Sequence, residues 1–450
     1  MDRQLFIDKL FLAAKEAGIE ECEAYFAMSD DFSVEVLEGQ IKEYSAAITS
    51  GVCLRGIYNG KMGYASSEDM DEDAIEMLVH SVKENASLIE TDDKTTIFEG
   101  SEAYETINNY NEETASVPAS VKIQEAMDLE KLVKAADPRV IRTEGCSYAS
   151  MINERRIVNS KGLDVSFKAC MLGAVAVPIV SENGKVNYAY DMKYAFDKKD
   201  VDIKKVAEKA VNEALSGLNA SPVPSGTYKT IFRNDVAAGL LATFSSVFSA
   251  ESARKGLSLL KGREGEVIAS ENVTIIDDPL MEGGFASCPF DAEGVATFTK
   301  TVVENGTLNT LLHNRTTAEA MGKETTGNAS KGGYASPVLV APTNFYLKPG
   351  DKALDTLIEE VGEGLLITDL MGMHSGANQI SGDFSLGAKG FRIENGKVTT
   401  AVEQITVADN FFELLKKIAS VASDLEFRPG ISTAIGSPSF YVEKIAVAGV

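Results

Sequence analysis

The sequence predicts an α+β fold: an N-terminal α+β half with an antiparallel sheet and helices (residues 1–221), then a β-rich C-terminal half with antiparallel sheets (residues 222–450). Three observations carry this. Four Asn-Gly pairs, Asn59-Gly60, Asn183-Gly184, Asn305-Gly306 and Asn395-Gly396, separate runs rich in β-branched and aromatic residues, which is a strong hairpin signal. Helical periodicities are grouped between strands and do not alternate with them, the order of an α+β chain. Finally, Asn219-Ala-Ser-Pro-Val-Pro-Ser-Gly226 divides the chain near its middle, and two prolines within three residues stiffen it and prevent regular pairing.

Residues 3–17 read as an amphipathic helix that stops at Gly18, a C-terminal signal. Strands follow at 23–28, 33–37 and 52–58, and Asn59-Gly60 turns the last into 61–66. A helix at 71–89 carries its apolar stripe at Ile75, Leu78, Val79 and Val82. Residues 90–120 are polar and without period, so they read as a long surface excursion. A helix at 120–136 ends before Asp137-Pro138. From 140 to 196 the pattern is a meander turned at Asn183-Gly184, and a helix at 201–216 closes this half. Beyond the linker come a strand at 227–232, a helix over 237–253 and then mainly strands. No internal repeat is present.

A chain of 450 residues with 44% hydrophobic content exceeds the ~250–300 residues at which single cores stop growing. Its net charge of −24 repels phosphate backbones, so nucleic acid is not an expected partner. Cys22, Cys53, Cys146, Cys170 and Cys288 are odd in number, widely spaced and form no C-x-x-C, which fits free thiols in a reducing cytoplasm. The N-terminus lacks a signal-peptide apolar region. The longest apolar run, 170–180, is far short of the ~20 residues a membrane helix needs and contains Pro178. A cytoplasmic protein with no membrane partner is expected.

Residues 373–410 pack Gly376, Gly382, Gly387, Gly390 and Gly396 among Ser375, Asn378, Ser381 and Ser385. Such glycine density marks a backbone that bends sharply or is approached closely. Two readings stand on the residues alone. The glycines shape a barrel corner, or they expose N–H and C=O groups that bind an extended peptide or a partner. In the second reading Ser375, Gly376, Asn378, Ser381, Gly382 and Ser385 supply contacts, and Phe384 forms an apolar side pocket.

The order of residues adds a resemblance. Ser381-Gly-Asp-Phe-Ser-Leu-Gly-Ala-Lys-Gly-Phe-Arg-Ile-Glu-Asn-Gly-Lys397 resembles the C-terminal signature of the TldD/PmbA family, also called modulators of DNA gyrase. Arg254-Lys-Gly256 with Gly262-x-x-Gly-Glu-Val-Ile-Ala-Ser270, then Asp277-Asp-Pro279, then Thr325-Thr-Gly-Asn-Ala329 agree in order. The resemblance covers nearly the whole chain and is strongest after Gly226. Its TldD kind carries H-E-x-x-x-H on a helix and a late cysteine that together hold zinc, leaving one position for an activated water. Here residues 237–253 contain no histidine and no cysteine follows Cys288, so the chain is similar to the PmbA (TldE) kind.

The resemblance implies a non-catalytic subunit with no metal or cofactor of its own. Its partner would be a TldD-kind subunit bearing zinc, and the complex would degrade or mature peptides. The alternative is a homodimeric regulatory or binding protein without peptidase activity.

No other chemistry is written in the residues. His80, His313 and His374 form no H-x-x-H pair, and with Cys288 they match no standard ligand spacing. Gly145-Cys-Ser-Tyr-Ala149 lacks the closing glycine of a nucleophile elbow. Asp277-Asp278 and Glu282 read as a solvated turn before Pro279. Gly362-Glu-Gly364 completes no nucleotide loop.

Overall fold

The structure is a computed structural model that describes residues 1–450 apart from 91, 92, 94, 95 and 431. Its first half contains helices α1 (Arg3–Glu16), α2 (Glu72–Ser87), α3 (Glu112–Ala115), α4 (Ala119–Ala136) and α5 (Ile203–Ser216). Its strands are β1 (Cys22–Leu37), β2 (Gln40–Tyr58), β3 (Lys61–Ser67), β4 (Val140–Asn159), β5 (Asp164–Glu182), β6 (Lys185–Tyr188) and β7 (Asp191–Ala195). They form one antiparallel sheet in the order β3-β2-β1-β4-β5-β6, with β7 also on β5.

Alternation along β1 sorts its side chains between two faces. Ala24 and Phe26 pack with Phe6, Leu10, Ile75 and Leu78 of α1 and α2, and Phe32, Val34 and Val36 pack with Leu129, Val133, Val206 and Val211 of α4 and α5. One face therefore carries all four long helices. The opposite face presents Tyr25, Cys53 and Ile157 to Phe290, Ala292 and Ala329 of the second half.

The second half begins with β8 (Gly226–Phe232), α6 (Asn234–Phe244) and α7 (Ala250–Arg254), followed by β9 (Ile275–Asp277), β10 (Lys300–Glu304) and β11 (Thr307–Leu308). Then come α8 (Arg315–Met321), β12 (Ala329–Ser330), β13 (Leu339–Val340), β14 (Asn344–Leu347), α9 (Leu354–Val361), β15 (Gly364–Met371) and α10 (Met373–Gly376). The chain ends with β16 (Asp383–Glu394), β17 (Lys397–Asn410), α11 (Phe411–Lys417), β18 (Ile418–Val421), β19 (Glu426–Arg428), β20 (Ala434–Ser437) and β21 (Phe440–Ala448). Strands β17-β16-β15-β8-β21 close into a ring because β17 also pairs β21. Beside it lies the sheet β11-β10-β9-β14-β20-β19. The core of this half holds Phe232, Phe244, Phe384, Leu386, Val407 and Val442.

All four Asn-Gly pairs are hairpin turns, joining β2–β3, β5–β6, β10–β11 and β16–β17, and each asparagine has positive φ. Four expectations need correction. The strands expected at 23–28 and 33–37 are one strand, because polar Ser29, Asp30 and Asp31 are paired on both sides by β2 and β4. The helix expected over 237–253 is broken by a 3-10 turn at Ser245–Phe248, and the Ser249 hydroxyl then caps α7. Residues 308–312 before His313 read as strand-like, yet only Leu308 lies in a strand, β11, while Leu311 and Leu312 are buried in the core. Within 90–120, four residues lie outside the described ones, while Ile97 and Asn109 are buried and not on the surface. Antiparallel pairing dominates, with parallel exceptions at β8–β15 and β14–β20. No helix among the described residues is long and apolar enough to cross a membrane.

Candidate functional site

Helix α6 is the segment in which the resemblance would place a metal-binding motif. Its residues Val236, Leu240 and Phe244 are buried in the core, and Phe244 stacks on Phe411 with ring centroids 4.5 Å apart. Gly239 faces Met373 and Arg428: a Cβ there would stand 3.2 Å from the Met373 methyl. The Thr243 hydroxyl lies 3.2 Å from the Met373 sulfur. Side chains at these positions are apolar or small, and none is a metal ligand. Glu251, on α7, is ion-paired with Lys255 at 2.7 Å.

Arg428 leads into Pro429 and Gly430, which overhang the open face of the first sheet. Between them is a cleft of ≈ 430 Å³ lined by Asp31, Ser33 and Ser45 on β1 and β2, Met151 and Met171 on β4 and β5, and Met192 and Tyr194 on β7. Its floor is the sheet face that carries no helices. Flexible methionines against small hydroxyl side chains make a surface that accommodates varied apolar groups. At the Arg428 end, burial pushes the Asp369 carboxyl up, against the pull of Lys389, with Arg233 and Arg428 also within electrostatic reach. The sequence reading missed this cleft because its residues are scattered over five strands. The trace in the sequence is the polar series Ser29, Asp31, Ser33 interleaved with Phe32, Val34 and Val36.

The glycine-serine segment is more self-contained than expected. The Asn378 side-chain oxygen accepts from the Ile380 and Ser381 N–H groups, and the Ser381 hydroxyl donates to Asp383 at 2.8 Å. Gly382 has φ +85°, and a Cβ on it would lie 2.7 Å from the Phe412 ring. A Cβ on Gly376 would meet the Ser385 carbonyl at 2.5 Å, and one on Gly390 would collide with the Leu366 carbonyl. These glycines admit close packing within the chain. Phe384 is the clearest correction: it is 4% exposed and packs on Phe244, so it belongs to the core and offers no side pocket. Its place follows from strand alternation, which turns Phe384, Leu386 and Ala388 inward together. From Gly387 onward β16 is paired on both edges, by β15 and β17, which removes its main chain from any ligand. Ser375, Asn378 and Ser385 remain exposed.

Other motif residues build internal nodes. Asp277 is fully buried and not part of a solvated turn. It accepts from Lys300 Nζ at 3.0 Å, Asn328 Nδ2 at 2.8 Å and the Thr343 N–H at 2.6 Å. Lys300 also donates to the Thr326 carbonyl and to Asn328 Oδ1. Two of the recognisable motifs are thus halves of one ionic staple. A second node joins the first sheet to the second half: Arg55 Nε donates to Glu23 at 2.7 Å, and Arg55 Nη1 lies 3.5 Å from Glu293. All three are almost fully buried. Close by, the Asp291 carboxyl is pushed up to about 7 by burial and by Glu293, although three backbone N–H groups donate to it.

A metallopeptidase metal would need converging imidazole, thiolate or carboxylate ligands. His80 is exposed and pairs with Glu84 on its own helix. His313 is 1% exposed, its two ring nitrogens have no hydrogen-bond partner among the described residues, and burial lowers its pKa. His374 sits on the exposed turn α10. Among the described residues no three His, Cys, Asp or Glu side chains are grouped to hold a metal. The donor set does not fit zinc. The five cysteines are buried and unpaired. Gly145–Ala149, the nearest imitation of a nucleophile elbow, runs straight through β4.

Comparison with known proteins gives the family. Residues 225–449 match the PmbA/TldA metallopeptidase C-terminal domain, residues 112–218 the central domain and residues 22–86 domain 1. The chain belongs to the PmbA/TldD family. The Metalloprotease PmbA homolog of Haemophilus influenzae is 30% identical to it over 398 residues, 87% of this chain and 84% of that protein. A Thermotoga maritima structure named for modulation of a DNA gyrase matches with TM-score 0.91 and 33% identity, over 99% of this chain and 100% of that one. TldE from Thermococcus kodakarensis, at 23% identity, shares the fold with TM-score 0.90, over 99% and 100% of the two chains.

Proposed function

We propose that this chain is the metal-free, non-catalytic subunit of a TldD/TldE-like metallopeptidase complex that degrades or matures peptides. The observation that carries the reading is the donor set. In a family described as metallopeptidases, helix α6 fills its buried positions with Val236, Gly239, Leu240 and Phe244, leaves Ala242 and Thr243 towards the outside, and has its one carboxylate, Asp235, held by Arg233 at 2.8 Å. Water activation then falls to a zinc-bearing TldD-kind partner. The chain's own contribution is to bind and orient peptide. The cleft between the open sheet face and Pro429-Gly430 supplies the space, and exposed Ser375, Asn378 and Ser385 supply polar contacts to a peptide or partner.

The test is reconstitution. The isolated chain, dialysed, is expected to hold far less than one zinc per chain and to leave unfolded peptides intact. Mixing it with a zinc-bearing TldD-kind subunit is expected to produce cleavage that a chelator abolishes. Cleavage by the isolated chain in the presence of chelator would end the subunit reading.

A further inference from the structure

Asn-Gly turns four hairpins of this chain, and the four differ in how they are held. All share one backbone conformation, with φ between +46° and +52° at the asparagine and between +70° and +84° at the glycine. Two are tied to other segments. The Gly306 N–H donates to the Val273 carbonyl at 2.8 Å, and the Asn305 N–H to the Thr274 hydroxyl at 3.1 Å. The Gly396 N–H donates to the Gly362 carbonyl at 2.8 Å, and the Asn395 N–H to Glu363 at 2.7 Å. The other two tips stand free. Asn59, Gly60, Asn183 and Gly184 are exposed, and neither glycine has an atom within 4 Å of an added Cβ. Among the described residues, neither asparagine side chain and neither glycine N–H at these two tips has a hydrogen-bond partner. Anchoring then separates the two. Asn59 is close to buried Ile57 and Met62, and Gly63 of β3 abuts the Val82 carbonyl of α2. Asn183 is farther from its nearest buried neighbours, Val180 and Asn187, and it opens β6, a four-residue edge strand paired only with β5.

We propose that Asn183 is a site of spontaneous covalent modification, deamidation through a cyclic imide to aspartate and isoaspartate, with Asn59 slower and Asn305 and Asn395 protected. The Gly184 N–H gives its proton to hydroxide, and the nitrogen attacks Asn183 Cγ. The new N–Cγ bond forms as the Cγ–Nδ2 bond breaks, and Nδ2 takes a proton from water and leaves as ammonia. Water then opens the five-membered ring at either carbonyl, and nothing is oxidised or reduced. Glycine suits the attack because no Cβ crowds its nitrogen. Reaching Cγ requires rotation out of the turn, so the rate follows the local opening of each hairpin. At Asn305 and Asn395 two hydrogen bonds to other segments must break first, and at Asn183 none must. Isoaspartate would lengthen the backbone of a two-residue turn and add a carboxylate beside Glu182, the partner of Arg139 at 3.3 Å. The strand that follows meets the ring of the second half through Asn187, whose Oδ1 accepts from Lys389 at 3.3 Å.

The test incubates the full folded chain at mildly alkaline pH in water enriched in heavy oxygen, followed by proteolysis and mass spectrometry. Heavy oxygen enters an asparagine site only when water opens the imide, so each of the four turns is timed separately. Label is expected first at Asn183, then at Asn59. Asn305 and Asn395 are expected to be at least ~10-fold slower than Asn183, the factor set by two additional hydrogen bonds to break. A parallel incubation in urea removes the fold and is expected to bring all four sites to similar rates, since the dipeptide is the same. Label at Asn305 or Asn395 as early as at Asn183 in the folded chain would overturn the proposal. So would an Asn183 that stays unlabelled while Asn59 reacts, or a spread of rates in urea equal to that of the folded chain.

Discussion

Gly382 offers a sharp separation between shaping the chain and contacting a ligand. Gly382→Ala adds one methyl group to a backbone at φ +85°, with the Phe412 ring 2.7 and 2.9 Å away and Asn410 Nδ2 at 3.1 Å. The left-handed conformation costs a non-glycine residue about 1–2 kcal/mol. Forcing the Phe412 ring aside adds about 1–3 kcal/mol of overpacking strain. Together these give about 2–5 kcal/mol. Gly322→Ala is the control, because Gly322 is left-handed at φ +64° with no atom within 4 Å of the added Cβ. It carries only the conformational cost. At about 2–4 °C per kcal/mol for a unit of this size, the two variants should differ by roughly 2–12 °C in melting temperature, Gly382→Ala being the lower. Calorimetry on the isolated chain measures this, and cleavage in the reconstituted complex measures function. Equal melting of the two variants would refute the packing argument. Wild-type melting of Gly382→Ala with lost cleavage would show that the turn touches peptide or partner directly.

Two further outcomes follow from the buried charges. Arg55→Met strands Glu23 and Glu293 together without their cation, which should cost about 3–5 kcal/mol in denaturant unfolding. Adding Glu23→Gln should recover part of the loss, and additive losses would contradict the coupling. The second outcome concerns pH: burial raises the carboxyl pKa of Asp291 to about 7. A carboxyl raised in the folded state holds a proton that the unfolded chain has already released, so the folded state loses stability as pH rises from about 4 to 7. One such group contributes at most about 1.4 kcal/mol per pH unit. Asp291→Asn should flatten the fall in melting temperature between pH 5 and 7, and an unchanged slope would exclude Asp291 as the titrating group. Carboxyls lowered by their partners, such as Asp137 and Asp164 beside arginines, act in the opposite direction and only below that window.

Local rules made much of the fold legible. The Asn-Gly turns need only two residues in a left-handed conformation, and the stripe Ile75, Leu78, Val79 and Val82 needs only a helical period. What escaped was decided by distant partners. Ser29-Asp30-Asp31 looks like a break until β2 and β4 pair on both sides of it. Asp277 looks solvated until Lys300 and Asn328, far along the chain, arrive to neutralise and hold it. Phe384 sits among exposed-looking small residues, but the inward face of β16 is set by closure of the ring. The glycine-serine run was legible as unusual, and its cause is steric: Phe412, Ser385 and Leu366 occupy the space where side chains would be. The cleft was least legible, since seven of its residues come from five strands and its roof from the Pro429 loop.

Ring closure also has a timetable. Strand β8 opens the second half at Gly226, yet its antiparallel neighbour β21 starts only at Phe440. During synthesis at about 5–20 residues per second, that edge of β8 waits roughly 10–40 s for its partner. The first sheet has all its strands by Ala195 and is free to assemble while the ring is still incomplete. The ring is therefore completed only once β21 has been made, and until then the apolar side chains destined for its interior have no finished wall to shelter them.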